Sequence, residues 1–219
     1  MPFARFVLAL AASALLASPA LAATDPDPDL GSYGLDDIPR TVAPKGKFVC
    51  PEVPLVTYRG DLVRFRPSAR VYTGFVERLR CFEAVVAEVA TRFYGRPPRT
   101  VRDLGTYNCR RIARYPDLLS EHALGDGIDV AGFDFGPLPK GAQLPDGVPK
   151  SVRRTFSISV EKDWDADPDA ASHKARFMRA LTDALVARGD IFRVLLGPAY
   201  PGHKDHLHLD CAPYRLVVL

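Results

Sequence analysis

Apolar residues recur at steps of three and four in two stretches of the chain. Residues 73–94 carry Phe75, Leu79, Phe82, Val86 and Val89 in this spacing, and residues 172–188 repeat it with a second apolar set. The spacing predicts an amphipathic helix over each stretch. The sequence Gly-Arg-Pro-Pro follows the first stretch and a glycine follows the second, which are typical ends of helices.

Shorter stretches with alternating apolar positions predict strands. They cover residues 100–109, 127–135, 155–160, 191–196 and 206–211. A basic loop is expected at 110–116, a Pro/Gly-rich loop at 136–149 and a turn at 197–202. Helices and strands are mixed without a repeated unit, so we expect an α+β fold with a central, mainly antiparallel sheet and flanking helices.

The first 22 residues have the pattern of a secretory signal peptide. Arg5 is their single charge, residues 6–16 are apolar or small, and Ala20 and Ala22 supply a small-residue cleavage site. The apolar run is shorter than the roughly 20 residues of a membrane-spanning helix. We therefore expect a secreted, periplasmic protein that does not span the membrane. Residues 23–45, rich in Pro, Asp and Gly, predict a flexible lead-in to a domain at 46–219.

The net charge limits the classes of binding partner, and the number of cysteines limits the possible disulfide bonds. The formal net charge is +3, and removal of residues 1–22 takes away Arg5 and lowers it to +2. Such a small charge does not suggest nucleic-acid binding. Four cysteines in an exported chain indicate two disulfides, and three connectivities are open. The favoured hypothesis pairs Cys50 with Cys81 and Cys109 with Cys211.

The candidate chemistry lies in two short segments that hold four of the five histidines. A strand at residues 206–211 would place His206 and His208 on one face. That pair alone would also suit an exposed polar face. In the other segment His122 and Asp129 flank a glycine-containing turn, which can bring both onto one cation. Two imidazoles and one carboxylate leave a coordination position open for water, as in catalytic zinc sites.

An iron(II) facial triad is an alternative use of two histidines and a carboxylate. Such triads place the first histidine and the carboxylate close together, whereas six residues separate His122 from Asp129. An oxidising, exported setting also favours redox-inert zinc. Zinc is therefore the predicted metal.

The two segments carry a resemblance to a known family. The patterns S-x-H-x-x-G-x-x-x-D at residues 120–129 and D-H-x-H at 205–208 resemble the LAS metallopeptidases, named for lysostaphin, D-Ala-D-Ala metallopeptidases and sonic hedgehog. Together with Tyr-Asn-Cys-Arg at 107–110, Ile-Asp-Val-Ala-Gly-Phe at 128–133 and Leu-Gly-Pro at 196–198, the sequence is more closely similar to the extensin-like C-terminal domain family. The similarity covers roughly residues 50–211. It implies a LAS/hedgehog-like core, a zinc ion and amide hydrolysis in peptidoglycan.

The resemblance also implies roles for individual residues. His122, Asp129 and His208 would bind zinc. His206 would stay off the metal and contact the substrate or the developing oxyanion. Asp205 would take a proton from the attacking water and pass it to the leaving amine.

The remaining implied roles concern the surroundings of the metal. Arg110 would pair with a substrate carboxylate, with Arg111 and Arg114 as neighbouring alternatives. Supporting positions near the ligands are assigned to Ser120, His203 and Asp210.

The predicted function is hydrolysis of amide bonds in peptidoglycan stem peptides or cross-links. The alternative is a non-catalytic, metal-stabilised module that binds or regulates the cell wall. Because an uncontrolled wall hydrolase would be harmful, a protein regulator is an expected further partner.

Overall fold

A computed structural model of the protein describes residues 33–165 and 172–219. The predicted signal peptide, residues 1–22, and the start of the predicted lead-in, residues 23–32, lie outside the described residues. Among the described helices, none combines the length and the apolar character needed to cross a membrane.

Strands and helices are interspersed along the described part of the chain. The strands are β1 (Leu55–Tyr58), β2 (Arg64–Arg66), β3 (Ala69–Tyr72), β4 (Thr100–Gly105), β5 (Arg111–Ile112), β6 (Tyr115–Leu119), β7 (Gly127–Phe135), β8 (Phe156–Ser159), β9 (Val194–Leu196), β10 (Leu207–Asp210) and β11 (Leu216–Val218). The α-helices are α1 (Phe75–Tyr94), α2 (Val160–Asp163) and α3 (His173–Ala187). Within residues 33–165 and 172–219, 3₁₀ turns cover Glu121–Leu124 and Lys150–Arg153.

The predicted α+β class is confirmed. A seven-stranded sheet has the order β11-β9-β10-β7-β4-β2, with β8 also paired to β7. Only the β11–β9 and β2–β4 pairs of this sheet are parallel, so the sheet is mainly antiparallel, as predicted. Two further two-stranded sheets, β1–β3 and β5–β6, flank it.

The long helices begin and end close to their predicted bounds. Gly95, which follows α1, adopts a left-handed conformation at φ 68°, and its N–H donates to the carbonyl of Thr91. Ser172 precedes α3, and its side-chain oxygen accepts a hydrogen bond from the Lys174 backbone N–H. A glycine C-cap and a serine N-cap satisfy backbone groups that a helix leaves unpaired at its ends.

One face of the sheet packs against the helices and forms the main core. Leu79 of α1 and Met178 of α3 belong to the same buried cluster as Val130, Leu207 and Leu209 of the sheet. Because side chains alternate along a strand, the residues between these leucines lie on the other face. That other face of β7 and β10 carries the candidate site.

The predicted basic loop at 110–116 is partly β-structure. β5 and β6 form a short hairpin there, and Thr41 makes an isolated β-bridge with Leu118. Strands as short as β5 and β6 show little alternation of apolar and polar residues in the sequence. The hairpin is also held by the N-terminal segment, because the Leu119 N–H donates to the Arg40 carbonyl at 2.7 Å.

Residues 33–45 are therefore not a flexible lead-in, and the prediction that the domain begins at residue 46 was wrong. Tyr33 and Leu35 are buried in the main core. Arg40 forms a bidentate ion pair with Glu121, with Nε–Oε1 and Nη2–Oε2 distances of 3.0 and 2.9 Å. Isolated apolar residues whose partners are remote in sequence show no periodicity, which is why the pattern did not predict this packing.

The disulfide hypothesis was also wrong. Cys50 is bonded to Cys109, with their Cα atoms 5.9 Å apart, while Cys81 and Cys211 are free thiols. Cys109 follows β4 on the loop that leads to β5, beside the N-terminal segment. Cys81 lies half-buried on α1, and the buried thiol of Cys211 contacts the Ile191 carbonyl at 3.5 Å instead.

We expect Cys50→Ser to lower the free energy of unfolding by about 2–4 kcal/mol, since the bond closes a loop of sequence separation 59. Cys81→Ser, which removes a free thiol, is the matched control and should change the free energy of unfolding by under about 1 kcal/mol. Urea denaturation of the oxidised proteins measures both. Equal losses in the two variants would contradict the observed pairing.

Candidate metal centre

A tight turn places His122 beside the inner strands β7 and β10 of the sheet. His122 lies in the 3₁₀ turn Glu121–Leu124, which ends at Gly125 with φ 68°. A Cβ atom at Gly125 would lie 2.6 Å from the Leu55 side chain and 2.9 Å from the Tyr72 nitrogen, so glycine is required there. At Gly127 a Cβ would meet its neighbours at an ordinary 3.5 Å. Only the first of the two predicted turn glycines is therefore needed for the sharp bend.

Strand pairing places the other two predicted ligands side by side. In the antiparallel β7–β10 ladder His208 lies directly opposite Asp129. Directly opposite residues point to the same face of a sheet, with Cβ atoms about 5 Å apart. Residues that are 79 positions apart in sequence thus contact each other, at 2.8 Å between His208 Nδ1 and Asp129 Oδ1.

Three donor atoms converge at this point. His122 Nε2 lies 3.2 Å from Asp129 Oδ1 and 3.1 Å from His208 Nδ1. Among the described residues, His122, Asp129 and His208 form a group that could hold a metal ion. Tetrahedral zinc with bonds of about 2.0–2.1 Å separates its ligand atoms by roughly 3.3 Å. The observed spacing fits a small cation with little rearrangement.

The far nitrogen of each histidine has an acceptor. His122 Nδ1 lies 2.5 Å from the Thr106 carbonyl oxygen, and His208 Nε2 lies 2.6 Å from Asp210 Oδ2. An N–H that donates to such an acceptor leaves the opposite ring nitrogen for the metal and fixes the ring orientation. The support predicted for Asp210 is present in this geometry. Thr106 contributes through its backbone, which explains why no side-chain pattern indicated it.

The ligand groups are strongly coupled electrostatically. Burial would raise the pKa of Asp129, but the hydrogen bonds from His122 and His208 outweigh it and hold that pKa well below its usual range. Burial would lower the pKa of His208, but the hydrogen bonds to Asp129 and Asp210 raise it to about 10. A buried cluster with two carboxylates favours a cation, whether a proton on His208 or a metal ion.

A cavity of about 450 Å³ is lined by two of the three candidate ligands, Asp129 and His208, whereas His122 lies buried behind them. His206 lines it, with Nε2 3.6 Å from Asp129 Oδ1 and Nδ1 2.8 Å from Asp205 Oδ1. Asp205 is 55% exposed and is not among the residues that line the cavity. His203 also lines it, with its ring centre 4.8 Å from that of His206. His206 therefore faces the site directly, and Asp205 reaches it through His206.

The predicted arginines differ in their surroundings. Arg110 and Arg114 both line the cavity. Arg111 is turned away, because its guanidinium donates to the carbonyls of Ala43 and Gly46 and lies 4.2 Å from the centre of the Phe48 ring. Of the three basic residues considered from the sequence, the structure leaves Arg110 and Arg114 at the site.

Ser120 supports the turn through its backbone rather than its hydroxyl. Its N–H donates to the Arg110 carbonyl at 3.1 Å, and its carbonyl accepts from the Ala123 N–H at 2.8 Å. No capping hydrogen bond involves its side chain. The backbone of Ser120 therefore connects the segment that carries Arg110 to the turn that carries His122.

Three tyrosines at the cavity had no role in the sequence prediction. Tyr115 comes from the β5–β6 hairpin, Tyr200 from the loop before β10, and Tyr214 from the segment before β11. Burial and the hydrogen-bonded Tyr115 raise the pKa of Tyr200. Scattered tyrosines on separate loops have no periodic signal, so only the folded chain identifies them as one wall.

We expect Asp210→Asn to weaken zinc binding by about 10–100-fold, because the His208 ring loses its carboxylate acceptor. Asp183→Asn removes the same charge from an exposed position on α3 and is the matched control. Competition against a chromophoric chelator measures both affinities. Unchanged affinity in Asp210→Asn would contradict a supporting role for this contact.

Zinc affinity should also rise with pH. The pKa of His208 is about 10 in the metal-free protein, and its Nδ1 must lose a proton to bind a cation. Below that pKa we expect the apparent affinity to increase about tenfold per pH unit. The same raised pKa stabilises the metal-free fold below the unfolded value near 6.5, and this contribution is lost as the pH rises through 10. Chelator competition at three pH values between 6.5 and 8.5 tests the slope, and a pH-independent affinity would contradict it.

Comparison with known proteins identifies the family of the chain. The family model described as "Extensin-like protein C-terminus" matches residues 34–144, just over half of the chain. The match includes His122 and Asp129 and the folded N-terminal segment, whereas His208 lies beyond it. No curated protein and no solved structure matches the chain. Because the matched range covers more than half of the chain and includes the turn, two of the three candidate ligands and strands β2, β4 and β7 of the sheet, the chain belongs to the extensin-like C-terminal family.

Proposed function

We propose that this protein is an exported zinc peptidase that hydrolyses amide bonds in peptidoglycan stem peptides or cross-links. The observation that carries the proposal is the set of three donor atoms 2.8–3.2 Å apart beside a cavity. Three protein ligands with access from a cavity are the mark of catalytic sites, whereas structural zinc sites are closed by four.

The donor set suits zinc. Two imidazole nitrogens and one carboxylate oxygen are ligands of the kind that zinc accepts. The ring nitrogen of each histidine that faces away from the site donates to an acceptor, the Thr106 carbonyl for His122 and the Asp210 carboxylate for His208, which fixes both rings. Zinc bound by His122, Asp129 and His208 would polarise a carbonyl and lower the pKa of coordinated water to about 7.

His206 and Asp205 act as a pair in the proposed reaction. The Asp205 carboxylate accepts from His206 Nδ1, which directs Nε2 toward the ligand cluster. From this position Nε2 can exchange a proton with the attacking water or donate to the oxyanion of the substrate. Asp205 then serves as a positioning residue that fixes the orientation of the His206 ring, and its direct role as a base remains a prediction.

Arg110 and Arg114 supply positive charge on the same cavity. Guanidinium groups bind carboxylates with two parallel hydrogen bonds. Stem peptides carry carboxylates close to their amide bonds, so these arginines would orient the substrate. The resemblance of both ligand segments to LAS metallopeptidases and the signal-peptide pattern support peptidoglycan in the periplasm as the target.

A non-catalytic wall-binding or regulatory module is the second candidate. The observation that favours it is the position of Asp205, which is 55% exposed and lies outside the cavity lining. A module that only binds the wall would keep the three ligands and the arginines and would not need a base. The two functions differ in whether metal-dependent products are formed.

Incubation of zinc-loaded residues 23–219 with purified peptidoglycan should release new muropeptides, separated and identified by mass. His208→Ala should abolish them, and Asp205→Ala should reduce the rate by about 10²–10⁴-fold while zinc stays bound. Asp183→Ala, on the exposed side of α3, is the control and should match the wild type. Full zinc occupancy with no product from intact peptidoglycan or from its isolated stem peptides would favour the binding module.

A further inference from the structure

On the face of the sheet that carries the candidate metal ligands, the cross-strand neighbours on β9 and β11 are apolar. His208 lies opposite Asp129 on one side and opposite Leu196 of β9 on the other. Asp210, in the same way, lies opposite Val194. Directly opposite residues share a face of the sheet, with Cβ atoms about 5 Å apart. Leu196 therefore lies next to His208, and Val194 lies next to Asp210.

The next strand extends this apolar surface. Leu216 of β11 lies opposite Val194 in the parallel β9–β11 pair. Val194 and Leu196 form a small cluster with Ala212, Tyr200 and Leu216 that is separate from the main core. The helices pack on the other face of the sheet, where Leu195 and Leu209 lie. The cluster therefore forms the floor of the cavity beside the ligands instead of filling the core.

Aromatic side chains complete the enclosure. Tyr115, Tyr200 and Tyr214 line the same cavity as Val194, Leu196 and Leu216. The hydrogen-bonded Tyr115 and Tyr200 connect the β5–β6 hairpin with the loop before β10. Tyrosines present a flat apolar surface with one polar end, which suits the entrance of a pocket whose base is aliphatic.

From this arrangement we infer an apolar subsite for the hydrocarbon part of a large side chain, such as the methylene chain of the diamino acid in a stem peptide, on the residue next to the amide that the metal centre would cleave. The assignment of that amide rests on the proposed function, while the subsite itself rests on the sheet register. A sugar ring would bring hydroxyl groups against Val194 and Leu196, where nothing aliphatic can accept or donate hydrogen bonds. The floor thus favours an amino-acid side chain over a glycan.

The size of the preference follows from the buried area. A leucine or phenylalanine side chain buries several more carbon atoms than alanine, and even one methylene in an apolar pocket changes binding by about 10-fold or more. We expect N-acetyl amino-acid amides with leucine or phenylalanine to bind at least tenfold more tightly than the alanine amide. Because the floor is built from protein alone, this order should hold with and without zinc.

The test is calorimetric titration of the mature chain with the alanine, leucine and phenylalanine amides and with N-acetylglucosamine. Leu216→Ser should weaken the leucine and phenylalanine amides about tenfold and leave the alanine amide unchanged. Val217→Ser is the matched control, because Val217 lies on the same strand, is 36% exposed and does not line the cavity. Thermal denaturation of both variants verifies that they are folded.

The outcomes separate this inference from the proposed function. Hydrolysis of peptidoglycan with equal binding of all three amides, or with Leu216→Ser equal to Val217→Ser, would overturn the apolar subsite alone. If the amides bind in the expected order but no peptidoglycan is hydrolysed, the result supports the subsite and contradicts only the peptidase proposal. Tighter binding of N-acetylglucosamine than of the leucine amide would also overturn the inference.

Discussion

The pairing of β7 with β10 is the constraint on which the site depends. It places Asp129 opposite His208 and, two residues further along the ladder, Gly127 opposite Asp210. A slip of the register by one residue would turn both β10 polar groups into the helix-covered core and Leu207 and Leu209 out of it. The buried leucines and the candidate metal ligands therefore favour the same register from opposite faces of the sheet.

His122 joins these ligands because a second constraint acts on the preceding turn. Gly125 has space for no side chain, and its carbonyl accepts from the Tyr72 N–H at 2.8 Å, which ties the turn to β3. Arg40 forms an ion pair with Glu121, the residue before His122. The Asn108 N–H donates to the His122 carbonyl at 2.9 Å. The N-terminal segment and the Cys50–Cys109 bond thus bear on the same short turn.

The charges of the site are balanced for a cation. Asp129 and Asp210 flank His208 from two sides, at 2.8 and 2.6 Å. Two carboxylates around one buried imidazole are costly without positive charge between or beside them. Next to this polar centre lies an aliphatic floor with a tyrosine rim. A few polar groups beside an apolar surface are the usual composition of a ligand-binding site.

The sequence by itself determined the elements with strong periodicity and the residues with distinctive chemistry. The two long helices, β7 and the mainly antiparallel class followed from local patterns, and the choice of His122, Asp129 and His208 as the ligand group followed from the resemblance of two short motifs to a known family. Only the tertiary structure decided the features that depend on partners remote in sequence: the burial of Tyr33, the pairing of Cys50 with Cys109 and the apolar row from Leu196 to Leu216. These contacts have no local periodicity, because burial, disulfide formation and cross-strand neighbours are set by the path of the whole chain in space.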